Sequence, residues 1–132
     1  MNQFTGKISE VLVDGQLSLV RVAVQNVQLQ VALIDNPEQS SYLKRDVQVE
    51  VLFKETEVIL ARPFEGLVSL ENRIAAKVMS LNFEKLFCRV SMHSDLGYLN
   101  AIITTSAAKS LLLEEGTEVV AFIKTNEIML SQ

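Results

Sequence analysis

The 132-residue sequence contains one cysteine, one histidine and no tryptophan. Cys88 has no partner for an internal disulfide, which favours a reducing, cytoplasmic environment. One cysteine and one histidine also exclude a zinc site built from several such ligands. No apolar run approaches the ~20 residues that a membrane-spanning helix needs. The polar start MNQFTGKISE does not read as a secretory signal.

Basic residues are in the minority. The chain has 12 Lys and Arg against 16 Asp and Glu, a net charge of −4, and only 6% aromatic residues. A nucleic-acid-binding face is normally basic and carries aromatic stacking side chains, so the composition disfavours a nucleic-acid partner. The hydrophobic content of 48% is typical of a folded chain, and the length suits one ordinary domain or two very small ones.

The sequence matches itself at an offset of 70 residues without gaps. The ten identities include Lys54 with Lys124, and apolar positions coincide throughout, as at Ile8 and Val78. We interpret this as a duplication. Pro63 and Gly66 interrupt the periodicity between the copies. The sequence therefore predicts one unit at 1–62, a linker at 63–66 and a second unit at 67–132.

Each copy shows the period-two alternation of half-buried strands, as in 20–24, 29–33 and 47–53. A short helical segment is predicted before the last strand pair, starting at Asn36-Pro37 in the first copy and at Thr105 or Ser106 in the second. The predicted fold is all-β, with two tandem five-stranded barrels of the oligonucleotide/oligosaccharide-binding type, each with one short helix.

No catalytic constellation stands out. His93 and Asp95 share one strand face and are interpreted as a surface pair, and Cys88 as a small core residue. The five glycines are scattered and form no phosphate-binding loop. The sequence therefore predicts a protein that is not an enzyme.

One segment carries binding chemistry. Thr104, Thr105 and Ser106 lead into the predicted helix of the second copy, and Lys124 lies on a later strand. Hydroxyls, free backbone N–H groups and an ammonium together suit a small tetrahedral oxyanion. The same residues also fit a plain helix cap and a solvated lysine, so both interpretations stay open on these residues alone.

A resemblance to a known family covers the whole chain. It is carried by NRI at 72–74, AIITTS at 101–106, LLLEEG at 111–116, VVAFIK at 119–124 and IML at 128–130. These segments resemble the Mop domain, a TOBE-type module that binds molybdate or tungstate. Two copies in tandem resemble the di-Mop arrangement of intracellular molybdate-binding proteins and of molybdate-responsive regulators.

The resemblance implies a bound oxyanion, molybdate or tungstate, with no organic cofactor and no resident metal ion. The implied oxyanion-binding residues are Ser69, Asn72, Thr104, Ser106, Lys124 and Asn126 in the second copy and Lys54 in the first. The implied role is storage, buffering or sensing in the cytoplasm by a homo-oligomer (dimer, trimer or hexamer), without a membrane partner.

Several positions depart from the family pattern, including Phe87 at its asparagine. Glu71 stands at its arginine and Ala107 at its serine, and in the first copy Ile34 and Pro37 occupy the threonine and serine positions. A carboxylate repels a dianion. These departures favour an alternative hypothesis, in which a degenerate Mop-like pair has lost oxyanion binding and serves as an oligomerisation or interaction module.

Overall fold

The computed structural model describes all residues from 1 to 132 and is almost entirely β-structure. The strands are β1 (Asn2–Asp14), β2 (Leu17–Val24), β3 (Val27–Leu33), β4 (Gln48–Phe53), β5 (Ile59–Ala61), β6 (Asn72–Phe83), β7 (Phe87–Ser94), β8 (Gly97–Thr104), β9 (Glu118–Ile123) and β10 (Met129–Ser131). One helix, α1, spans Thr105–Ser110, and 3-10 turns span Glu55–Glu57 and Thr125–Glu127. No helix is long and apolar enough to cross a membrane.

The strands form two antiparallel five-stranded sheets, in the orders β10-β4-β1-β2-β3 and β5-β9-β6-β7-β8. The predicted all-β class with two five-stranded units is confirmed. The long first strand of each copy pairs with two neighbours along its length, and its register shifts at Ile8–Glu10 in β1 and at Val78–Ser80 in β6. These two irregularities are 70 residues apart, so the copies repeat in bulge position as well as in strand order.

The last strand of each copy is exchanged between the sheets. Ile59 of β5 pairs with Phe122 of β9, and Met129 of β10 pairs with Leu52 of β4. Each sheet therefore contains four strands of one copy and one strand of the other. The linker at 63–66 stays a prediction, because each hydrogen-bonded sheet contains strands from both sides of it.

The core is one cluster of 27 buried residues drawn from both copies. The predicted alternation is confirmed at Val20, Val22 and Val24, which are buried while their neighbours face outward. Among the five glycines, only Gly6 is closely packed on its Cβ side: an added Cβ would lie 2.7 Å from Val22 Cγ1 and 2.9 Å from the carbonyl oxygen of Ala23. Only glycine fits there without movement.

The helical segments of the two copies differ in length. After Asn36 the chain makes a single turn, in which Ser40 N–H donates to Asn36 O at 2.8 Å, and the segment then continues as turns instead of the predicted short helix. The Asn36 side chain accepts hydrogen bonds from the N–H groups of Glu38 and Gln39. Asn36 therefore caps this single turn in the way that an N-cap residue caps a helix. Only the second copy contains a helix, α1.

Candidate functional site: an open cleft beside helix α1

An open cleft of about 740 Å³ lies where β8 enters α1. Its lining is mostly polar and basic: Lys85, Leu86, Phe87, Thr104, Thr105, Ser106, Lys109 and Ser110. The lining contains no carboxylate, and neither lysine takes part in an ion pair within the chain. The cleft thus combines four hydroxyl groups with two unpaired ammonium groups.

Local hydrogen bonds hold the cleft together. Thr104 is the N-cap of α1, and its Oγ1 accepts from Ala107 N–H at 3.0 Å. Thr105 ties the helix to the turn before β7, because its N–H donates to Leu86 O and its hydroxyl donates to Glu84 O. This tie places Lys85 beside α1. A capping hydroxyl that accepts one hydrogen bond keeps its own hydrogen free to donate.

The predicted residues Lys124 and Asn126 lie outside this cleft. In the sheet register, Lys124 follows Ile123, which pairs with Asn72 at the first residue of β6. Thr104 pairs with Phe87 at the opposite end of the same sheet. The 3-10 turn that follows Lys124 packs instead against β3 of the first copy.

Lys54 occupies the equivalent place in the other sheet. The 3-10 turn after it packs against β8, and Glu55 in that turn lies 3.8 Å from the guanidinium of Arg89. Strand exchange therefore puts Lys54 beside the strand that ends at Thr104, whereas Lys124 lies beside the strand that leads to Ile34. The hydroxyl and lysine positions of one sequence copy do not meet in space.

Asn72 is buried, and its side chain is fully engaged by the backbone. Its Nδ2 donates to Gln30 O at 2.9 Å and to Ile123 O at 3.0 Å, while Oδ1 accepts from Gln30 N–H at 2.7 Å. Asn2 binds Asn100 in the same way, with both bonds at 2.9 Å. These asparagines join the copies, and both amide hydrogens of Asn72 are already donated.

Ser69 and Glu71 are exposed in the segment just before β6 and do not line the cleft. Arg73 of β6 holds this segment in place, because its guanidinium donates to Leu70 O and lies 5.5 Å from the centre of the Phe122 ring. The carboxylate of Glu71 is not part of the cleft lining.

Sequence reasoning missed both lysines of the cleft. The place of Lys109 in the cleft could have been predicted, because Lys109 follows Ser106 by three residues and so lies on the same helix face. The place of Lys85 could not have been predicted from the sequence, since it depends on the hydrogen bonds between Thr105 and the turn before β7. Thr104 and Ser106 are the two predicted ligands that the structure brings together.

The other reactive side chains do not form a site. His93 packs edge-on against the Tyr98 ring, with centroids 5.7 Å apart. Cys88 is fully buried, and burial raises the pKa of its thiol although a backbone hydrogen bond at Asn82 opposes the shift. No group of three or more His, Cys, Asp or Glu side chains is placed to hold a metal ion.

The fold and the cleft define the class: an all-β tandem repeat with exchanged strands and an open basic cleft lined by hydroxyls. No family model and no curated protein sequence matches the chain. Among solved structures, it is similar to the cytoplasmic molybdate-binding protein ModG, in a PEG-grown crystal form with molybdate bound. The TM-score is 0.89 at 19% identity, covering 98% of this chain and 94% of that chain. At this identity the likeness establishes the fold.

Proposed function

We propose that this chain is a cytoplasmic oxyanion-binding protein that takes molybdate or tungstate. The observation that carries the proposal is the cleft beside α1, where Thr104 and Ser106 lie together with Lys85 and Lys109 and no carboxylate. The overall likeness to a molybdate-binding protein supports the same ligand class. Reversible binding through hydrogen bonds and ammonium groups suits storage, buffering or sensing.

The charges of the cleft favour a dianion. An ammonium about 5 Å from a dianion in a water-like dielectric contributes roughly 1.7 kcal/mol, and physiological salt reduces this to about 0.9 kcal/mol. Hydroxyl donors from Thr104 and Ser106 add charge-assisted hydrogen bonds, each about twice as strong as a neutral one. Because the cleft is open, we expect moderate affinity with a marked dependence on ionic strength.

Isothermal titration with molybdate tests both the function and the location. We expect Lys109→Ala to weaken binding about four- to fivefold at physiological salt, and more at low salt. Ser106→Ala should also weaken binding, because it removes one hydrogen-bond donor. Lys124→Ala is the matched control: the same substitution at an exposed lysine outside the cleft.

The outcomes separate the site from the function. If the wild-type chain gives no heat and no thermal shift at millimolar molybdate, oxyanion binding is refuted. If Lys124→Ala or Lys54→Ala weakens binding while Lys109→Ala does not, the oxyanion binds at the family's lysine positions and the cleft is the wrong site. Tungstate titrated in parallel compares the two oxyanions.

We also propose that the chain assembles with copies of itself. Apolar side chains at the first hairpin of each copy are strongly exposed, with Leu17 at 56% and Phe87 at 55%. These two residues are equivalent in the repeat, so both copies present an uncovered apolar hairpin. Such exposure on both copies is typical of a surface covered in an assembly.

A further inference from the structure

The loops that precede β4 and β9 are structural equivalents. In the first copy Asp46 N–H donates to Ile8 O at 2.7 Å, and Ile8 N–H donates to Val47 O at 2.9 Å. In the second copy Gly116 N–H donates to Val78 O at 2.8 Å, and Val78 N–H donates to Thr117 O at 2.9 Å. The same pair of hydrogen bonds therefore fixes both loops at the same place on their sheets.

The two loops carry opposite charge at matching positions. Lys44 and Arg45 in the first copy correspond to Glu114 and Glu115 in the second. All four side chains are exposed, and none of them takes part in an ion pair within the chain. The first loop also carries one exposed carboxylate, Asp46, at the position of Gly116. An otherwise repeated structure thus presents one loop of net positive charge, the basic loop, and one acidic loop.

Each loop borders a cleft with a partly apolar wall. The basic loop lines a cleft of about 560 Å³ with Ser9, Glu10, Val11, Pro37 and Leu43. Its one carboxylate, Glu10, is paired with Arg21 at 2.6 Å. A charged rim next to apolar side chains is the composition of a protein interface edge.

The acidic loop lies between two clefts. One is lined by Arg62, Pro63, Leu112, Glu114, Glu115, Gly116, Thr117 and Glu118, the other by Lys77, Val78, Met79, His93, Glu115 and Gly116. Glu118 adds a third carboxylate, while Arg62 and Lys77 are counter-charges at the margins. Leu112 is 75% exposed and Met79 is 42% exposed, so apolar surface accompanies the acidic groups here too.

We propose that the basic loop of one chain docks on the acidic loop of a second copy of the same chain. This inference rests on the proposed self-association and specifies its contact. In a repeated structure, contacts between first copies, between second copies and between unlike copies would be nearly equivalent. Opposite charges favour the unlike contact, and like charges repel in the other two.

Charge reversal with light scattering and native mass spectrometry, without oxyanion, tests the pairing. Lys44→Glu with Arg45→Glu makes both loops acidic, and Glu114→Lys with Glu115→Lys makes both loops basic. We expect each variant alone to dissociate at least about tenfold more readily than the wild type. Mixing the two variants should restore assembly, and so should all four substitutions in one chain.

Glu65→Lys with Glu71→Lys is the matched control, since it changes the net charge by the same amount as the Glu114 and Glu115 reversal, at two exposed positions between β5 and β6. It should leave the assembly unchanged. A wild-type chain that is monomeric at high micromolar concentration overturns the proposal, as does an assembly indifferent to the loop reversals or a mixture that does not re-form. Molybdate titration of the same variants reports separately on oxyanion binding.

Discussion

Replacing Asn72 with alanine should strongly destabilise the whole chain. The side chain is only 1% exposed and makes three hydrogen bonds, two to Gln30 and one to Ile123. Truncation leaves three backbone groups without partners in a buried place. At about 1 kcal/mol for each lost bond, we expect a loss of about 3 kcal/mol in the free energy of unfolding.

Urea denaturation followed by circular dichroism measures this loss. For a chain of this length, about 3 kcal/mol corresponds to a fall in melting temperature of roughly 10 °C. Asn2→Ala provides an internal scale, since Asn2 makes two such bonds and should cost about 2 kcal/mol. A smaller effect for Asn72→Ala than for Asn2→Ala would contradict the hydrogen-bond count.

Gln30→Ala is the matched control for Asn72→Ala. Asn72 binds the backbone of Gln30 and not its side chain, so the substitution keeps both inter-copy bonds. The Gln30 side chain accepts only from Arg21 Nε at 3.2 Å, and its removal should cost less than about 1 kcal/mol. If Asn72→Ala costs no more than Gln30→Ala, these bonds do not stabilise the contact between the copies.

Two further predictions concern packing and chemical accessibility. Gly6→Ala should lower the free energy of unfolding by about 1–3 kcal/mol, since its Cβ would lie 2.7 Å from Val22 Cγ1. Ala76→Gly at the equivalent position is the control and should cost at most about 1 kcal/mol. Equal effects of the two substitutions in urea denaturation would contradict the close packing at Gly6. Because burial raises the pKa of the Cys88 thiol, a thiol reagent at pH 8 should label it slowly in the native chain and fully in urea, and rapid native labelling would contradict its burial.

Much of the fold could be predicted because the repeat and the alternation are local patterns. Apolar residues at every second position, as in 20–24, determine which side of a strand is buried. The exchange of β5 and β10 could not be predicted, because short edge strands such as Ile59–Ala61 pair equally well in either sheet by sequence. Their partners follow from the path of the chain through the preceding turns.

The site was predicted less completely than the fold, for a physical reason. Thr104 and Ser106 were found because a hydroxyl before a helix is a local signal. Asn72 was predicted as a ligand on resemblance, yet its Nδ2 donates to Gln30 O in the other copy and to Ile123 O in its own copy. A polar residue at a strand start gives no sign in the sequence of whether it faces a ligand or a neighbouring strand.

Because the last strands are exchanged, the surroundings of the lysine in each copy are formed partly by the other copy. Each 3-10 turn packs against the third strand of the other copy, so Lys54 lies beside β8 and Lys124 lies beside β3. Ile34 directly follows β3 and does not line the cleft beside α1, so a substitution there leaves Thr104 and its cleft untouched. The departures of the first copy from the Mop pattern are thus compatible with an intact cleft beside α1, where the hydroxyls and the two lysines come from residues 85–110 alone.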